Sequence, residues 1–239
     1  MSSLLTLFNP FVLTASIGQL VGHLVIYARY RDGLPTPDSY EPETVFSLPF
    51  LSRWTAINGG STGENPHSRE ILTQRYASDF VVTEDGSSHT GEGVRLEEYH
   101  CLDEPILAPA DGEVVAASNG RRDCPYLGGW VDPFQRDIRG NYVTIQHSEN
   151  EYSVLAHLRE GSLNVDAGEE VERGRVIGRC GNSGNSTEPH LHFHVQDRPN
   201  FLLGMGLPIT FREFAIESAN SSENREKGSV ERNEAVRSV

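Results

Sequence analysis

The chain has 239 residues, enough for one domain of ordinary size with appendages, and 37% hydrophobic content supports a buried core. Its 34 acidic and 20 basic residues give a formal net charge of −14 at pH 7, which argues against nucleic acid as a partner. Lys227 is the sole lysine, so 19 of the 20 basic residues are arginine; this acidic, lysine-poor composition suggests a halophilic source, with an ordinary acidic bacterial protein as the alternative.

Residues 4–27 (LLTLFNPFVLTASIGQLVGHLVIY) are largely apolar and are followed by Arg29 and Arg31. They lack an N-terminal basic cluster and a small-residue cleavage site, so they read poorly as a secretory signal. Phe11 to Tyr27 barely reaches the length of a membrane span, and Gln19 and His23, four apart on one helical face, count against one. The expectation for residues 1–40 is an apolar helix that lies on a membrane surface or packs on the domain, ended by a linker with Pro35 and Pro37. A membrane-associated or extracytoplasmic location goes with that reading.

Further along, Tyr76 to Val82 reads as a strand in which Asp79 is the single charge. A charge there is costly unless paired or metal-bound, the plain alternative being a pair with Arg75. Gly and Pro recur at short intervals through residues 86–189 between β-branched runs, which predicts an all-β fold of short strands with a helix only near the N terminus. Cys101, Cys124 and Cys180 are an odd set: Cys101 and Cys124 could bridge, while Cys180 packs as a small hydrophobe, and none sits in an activating motif. Segments 83–101 and 121–139 are candidate walls of a substrate groove, or else plain solvent-facing loops. Residues 216–239 lack aromatics and are rich in Ser, Asn and charge, so they are expected to be a disordered tail.

The most informative stretch is Pro189-His190-Leu191-His192-Phe193-His194-Val195. Side chains alternate faces along a strand, so the three imidazoles project from one side of a sheet while Leu191, Phe193 and Val195 bury the other. Such a cluster is a preorganised site for a divalent transition metal, most often zinc.

Upstream lie Gly140-Asn141-Tyr142-Val143-Thr144-Ile145-Gln146-His147, Ser153-Val154-Leu155-Ala156-His157-Leu158, a glycine-punctuated run from Val165 to Gly178, and Gly181-Asn182-Ser183-Gly184. In this order and spacing the motifs resemble the lysostaphin-like (LytM-type) zinc endopeptidases over roughly residues 47 to 199. The resemblance implies an antiparallel β-sandwich or barrel core of the duplicated hybrid-motif type across residues 41–215. It also implies Zn2+ as cofactor and hydrolysis of peptides such as those of peptidoglycan. It makes His192 a zinc ligand and His157 and His190 the catalytic pair, since imidazoles with pKa near 6.5 move protons at neutral pH. His194, where the family has Glu or another polar residue, reads as the outer partner of a metal-bound imidazole, with a fallback role as ligand.

The first half of the site departs from the family. Its early ligands commonly appear as His-x-x-x-Asp, whereas Arg75 occupies that first position here, and arginine cannot bind zinc. Asn65-Pro66-His67-Ser68 followed by Gln74 to Phe80 resembles a branch of the family in which the ligands become His67, Asp79 and His192. His89, in His89-Thr90-Gly91-Glu92-Gly93, competes for the first position but ends in glycine where the carboxylate should be. The glycine turns at 105–115 and 171–178 also resemble biotinyl and lipoyl carrier half-motifs, but those carry their group on a hairpin lysine and Lys227 lies in the tail. Sugar-transport IIA proteins share the hybrid fold and use paired histidines, yet lack the Pro-His-Leu-His-Phe run. Two functions therefore stand: a zinc metalloendopeptidase, favoured because Asp79, His157, His190 and His192 are all present, and a catalytically inactive module of this type that binds or regulates a partner. An archaeal source would lack peptidoglycan and leave another surface peptide as target.

Overall fold

Alternating apolar and polar residues become an antiparallel sheet in the computed structural model, which describes residues 10–60, 71–125, 127, 135–218 and 221–239. One helix, α1 (Pro10–Arg29), precedes the strands β1 (Trp54–Asn58), β2 (Ser78–Val81), β3 (Pro105–Leu107), β4 (Gly112–Ser118), β5 (Asn141–Ser148), β6 (Glu151–Leu158) and β7 (Glu170–Val171). They continue with β8 (Val176–Arg179), β9 (Leu191–Gln196), β10 (Gly206–Leu207), β11 (Phe211–Ser218), β12 (Ser221–Gly228) and β13 (Ala235–Ser238). The main sheet runs β12-β11-β13-β1-β2-β9-β6-β5-β4-β7, β10 adds to β9, and β3 pairs with β8 in a small second sheet. Among the described residues the fold is thus all-β and antiparallel with one α-helix, near the N terminus, as the sequence predicts.

The strands nearest the middle of the sheet are buried along their length. Every residue of β6 and of β9 is buried, because β6 is flanked by β5 and β9, and β9 by β2 and β6. Aromatic rings fill the interior: Phe50 stacks on Trp54, Phe46 meets Phe193 edge-on, and Phe193 contacts Phe211. Truncating such a ring to alanine typically costs about 3–5 kcal/mol, so this cluster fixes the position of β9.

The C-terminal residues correct the sequence reading. In place of a disordered tail, β11 and β12 form a hairpin and β13 inserts between β11 and β1, with Trp54 opposite Val236. The boundary drawn at 215/216 falls inside β11. The composition misleads because three of the segment's few apolar residues, Val230, Ala235 and Val236, are buried, while β12 is an edge strand whose polar side chains face water.

Helix α1 packs on the domain. Gly22 lies where any Cβ would overlap the Leu202 carbonyl oxygen, and His23 Nε2 accepts the Leu72 backbone N–H at 3.1 Å. Arg29 and Tyr30 bind the Asp197 carboxylate at 3.0 and 2.9 Å. Gln19 and His23, which count against a membrane span in the sequence, thus lie on the docked side, whereas Leu13, Ile17, Leu20 and Leu24 are exposed on the other. Among the described residues no helix is long and apolar enough to cross a membrane.

The three cysteines are buried and none is joined to another in a disulfide. Cys101 and Cys124 do not bridge; the Cys101 thiol donates to the Pro189 carbonyl at 3.0 Å and lies against Cys180.

His147 sits behind the sheet with Nδ1 on the Asp111 carbonyl and Nε2 on Ser153 Oγ, and burial pushes its pKa down. The native state therefore favours the neutral ring, and the unfolded chain binds the proton more readily. Its contribution to stability is present above pH ~6.5, the unfolded value, and is lost as the pH falls below it. Denaturant midpoints should drop between pH 7 and 5, and His147→Gln should shrink that drop.

Candidate active site

Strand register assembles the site. Opposite His192 stand Asp79 on β2 and Ala156 on β6, and His157 follows Ala156. Asp79, His157, His190 and His192 consequently line one cleft of about 290 Å3, together with Gln74, Ile138, Arg139, Asn185 and Phe201. Ser16 and Gln19 of α1 supply part of its wall. Of the two segments proposed as groove walls, 121–139 contributes Ile138 and Arg139, and 83–101 contributes no lining residue.

His157 is held by two crossing loops. Gly140 has φ +66°, and a Cβ there would run into the Ser183 backbone, so only glycine permits the crossing. Asn141 N donates to Ser183 Oγ at 2.8 Å, Ser183 Oγ donates to the Leu158 carbonyl at 2.6 Å, and Asn141 Nδ2 donates to the same carbonyl at 3.0 Å. The Gly-Asn and Gly-Asn-Ser-Gly motifs are thereby one structure. It presents the Ser183 carbonyl 2.8 Å from His157 Nδ1. A carbonyl only accepts, so Nδ1 carries the hydrogen and Nε2 is left with a lone pair. Burial, with the charges of His190 and His192, pushes the His157 pKa well down and keeps the ring neutral.

His190 is braced in the same way. Its Nδ1 is 2.8 Å from the Glu188 carbonyl, with Ser186 Oγ at 3.1 Å, and its Nε2 is 3.8 Å from Asp79 Oδ1. The His157 and His190 rings lie 4.6 Å apart between centroids.

His192 differs. Along β9, Gln196 Nε2 donates to the Arg198 carbonyl at 2.7 Å, which leaves Gln196 Oε1 to accept from His194 Nε2 at 3.0 Å. His194 is then an acceptor at Nδ1, so His192 Nε2 donates to it at 2.9 Å. Burial and the charge of His192 push the His194 pKa down to about 3, in keeping with a neutral ring. The consequence falls on the other nitrogen of His192: Nδ1 is the atom turned toward Asp79, 2.8 Å from Oδ1.

Two acceptors at that distance need a cation between them, a proton or a metal ion. Burial pushes the Asp79 carboxyl up, but the hydrogen bond and charge of His192, with His190 and Asn58, outweigh it and hold the group well below the usual carboxylate range. Asn58 Nδ2 donates to Asp79 Oδ2 at 3.0 Å and fixes the carboxylate. A deprotonated carboxylate and an imidazole Nδ1 with an outer partner on its Nε2 are two donors of the kind a zinc ion takes, so these residues fit part of a zinc site. Among the described residues no group of three such donors forms, and His67 lies outside the described residues. His89 lies elsewhere, with its ring against Tyr99 and Nδ1 at the Thr90 carbonyl.

Sequence reasoning missed Asn58 and Gln196. Gln196 had a signal, since it continues the period-two stripe of 190, 192 and 194; Asn58 had none, because it reaches Asp79 across a strand pair.

Residues 88–202 match the model of Peptidase family M23. Among similar proteins, the cell division protein DipM of Caulobacter vibrioides is 30% identical over 51% of this chain and 17% of its own length. The peptidoglycan DD-endopeptidase ShyA of Vibrio cholerae is 34% identical over 44% of this chain and 21% of its own. The murein hydrolase activator NlpD of Salmonella typhimurium is 25% identical over 67% of this chain and 38% of its own. The matched stretches thus span between about a sixth and two fifths of these relatives.

Proposed function

We propose that the chain is a zinc-dependent endopeptidase acting on cell-wall or cell-surface peptides, with peptidoglycan cross-links the first substrate to test. The observation that carries this reading is His192 Nδ1 standing 2.8 Å from the Asp79 carboxylate, with His157 and His190 lining the same cleft. The similarity to a peptidoglycan DD-endopeptidase supports the substrate class. Asp79, His192 and His67 would hold the metal. Four peptide units separate His67 from Ile71, which lines the cleft, so the chain allows a reach of at most about 14 Å.

Zinc bound there lowers the pKa of a water to about 7 and polarises the scissile carbonyl. His157, neutral with Nε2 free, takes up the proton released as water attacks. His190, braced on Glu188, holds a proton toward the carbonyl oxygen as negative charge develops, and the proton gathered on His157 passes to the departing amine. The exposed apolar face of α1 supports contact with a membrane surface and an extracytoplasmic location.

A second reading, a binding or regulatory module without catalysis, is favoured by Arg75 at a ligand position and by similarity to NlpD and DipM. Cross-linked stem peptides and glycine-rich peptides separate the two. Under the enzyme reading new amino termini appear by mass spectrometry, vanish with a chelator and return with zinc. A folded, zinc-loaded chain that leaves every peptide intact leaves the module reading. In the same preparation His67→Ala should lose zinc while His89→Ala keeps it, and the reverse would move the first ligand into segment 83–101.

A further inference from the structure

The catalytic cleft continues into a second one of about 490 Å3, the two sharing Ile138, Arg139 and Phe201. At the junction the Arg139 guanidinium lies 3.6 Å from the centroid of the Tyr142 ring and 5.0 Å from that of Phe201. Its Nε and Nη2 donate to Asp137 at 3.1 and 2.8 Å. This arrangement fixes the plane of the guanidinium and leaves Nη1 without a hydrogen bond among the described residues.

Arg136, exposed, lines the same second cleft and also a neighbouring one that holds Arg121 and Arg122. Arg136 makes no ion pair or hydrogen bond among the described residues. Arg121, Arg136 and Arg139 line these two clefts with Asp137 and Glu160, in a chain whose net charge is −14. A local positive field in a concave, partly apolar wall attracts an anion that the rest of the surface repels. A guanidinium held flat by stacking and a side-on carboxylate has lost its rotamer freedom before any ligand arrives, so a second carboxylate meets a preformed donor.

We propose that Arg136 and Arg139 form a carboxylate-binding subsite, so that the peptide drawn into the cleft carries a free acidic group beside the scissile bond. The inference rests on the endopeptidase reading for what lies in the cleft, and it names the class of peptide: one with an unamidated carboxylate, in preference to the same peptide with that group as an amide.

The test uses two peptides that differ only in a free or amidated glutamate carboxylate next to the scissile bond. Binding to the metal-free chain is read by fluorescence anisotropy, and kcat/KM is read with the zinc-loaded chain. The wild type should favour the free acid about tenfold in binding, the usual scale for one charge-assisted pair, and the preference should shrink with added salt. Arg136→Gln and Arg139→Gln should each bring the two peptides within about threefold of one another. Equal binding of both peptides by the wild type overturns the subsite, as does a loss of affinity in the variants that is the same for both. Should Arg139→Gln fail to fold, Arg136→Gln, at an exposed position, decides alone. Arginine-dependent preference in binding without hydrolysis keeps the subsite and removes the enzyme reading; hydrolysis without preference does the opposite.

Discussion

His157→Ala and His190→Ala each lose peptide hydrolysis by roughly a hundredfold or more while keeping their zinc, the scale on which a positioned acid or base contributes. The expectation follows from where their nitrogens are committed. Each ring gives Nδ1 to a backbone carbonyl, Ser183 for His157 and Glu188 for His190, so each is oriented by the fold and offers only Nε2 to the cleft. Neither has Nδ1 free for a ligand role. His157→Gln is the sharper variant: glutamine occupies a similar volume but cannot move a proton near neutral pH, so its activity should fall as far as that of alanine. Zinc content measured beside the rate separates catalysis from metal loss. Variants that hold zinc and retain full activity would remove both residues from the mechanism.

On the zinc-endopeptidase reading, Asp79→Ala should abolish zinc binding and with it all hydrolysis. Outer partners of metal ligands already cost 10–100-fold in affinity when removed, so loss of a direct carboxylate ligand exceeds about 100-fold. The same scale ranks the neighbours: His194→Ala and Gln196→Ala should weaken zinc binding by about 10–100-fold, because they set which nitrogen of His192 is free, without supplying a ligand themselves. Asn58→Ala belongs with them, through the other oxygen of Asp79. Zinc affinities by competition with a chelating dye check the ranking. Equal losses for Asp79→Ala and His194→Ala would break it.

Much of the site was legible because its parts repeat with the period of the strand that carries them. Alternation along 190–196 put three histidines on one face, and the pairing of β2, β9 and β6 supplied the rest of the geometry. What sequence could not give was the identity of the nitrogen each histidine presents, since that depends on Ser183, Glu188 and Gln196, set by loop crossings and neighbouring residues. The two glycine-containing motifs read as separate turns in sequence and form one brace in space, with Ser183 between them. The polar C terminus was misread because a strand at the edge of a sheet keeps its polar side chains in water whether or not its backbone is paired. Helix α1 read in sequence as an apolar helix that lies on a membrane surface or packs on the domain, and Gly22 and His23 are the contacts by which it packs.

Calorimetric titration of the metal-free chain with zinc, on the wild type and on His192→Ala, tests the central claim most directly. The account predicts one zinc per chain for the wild type and no measurable uptake at that site once the His192 imidazole is gone, because the Asp79 carboxylate then faces no second donor on β9. A folded wild type that takes up no zinc, or a His192→Ala chain that binds it as tightly as the wild type, would contradict it.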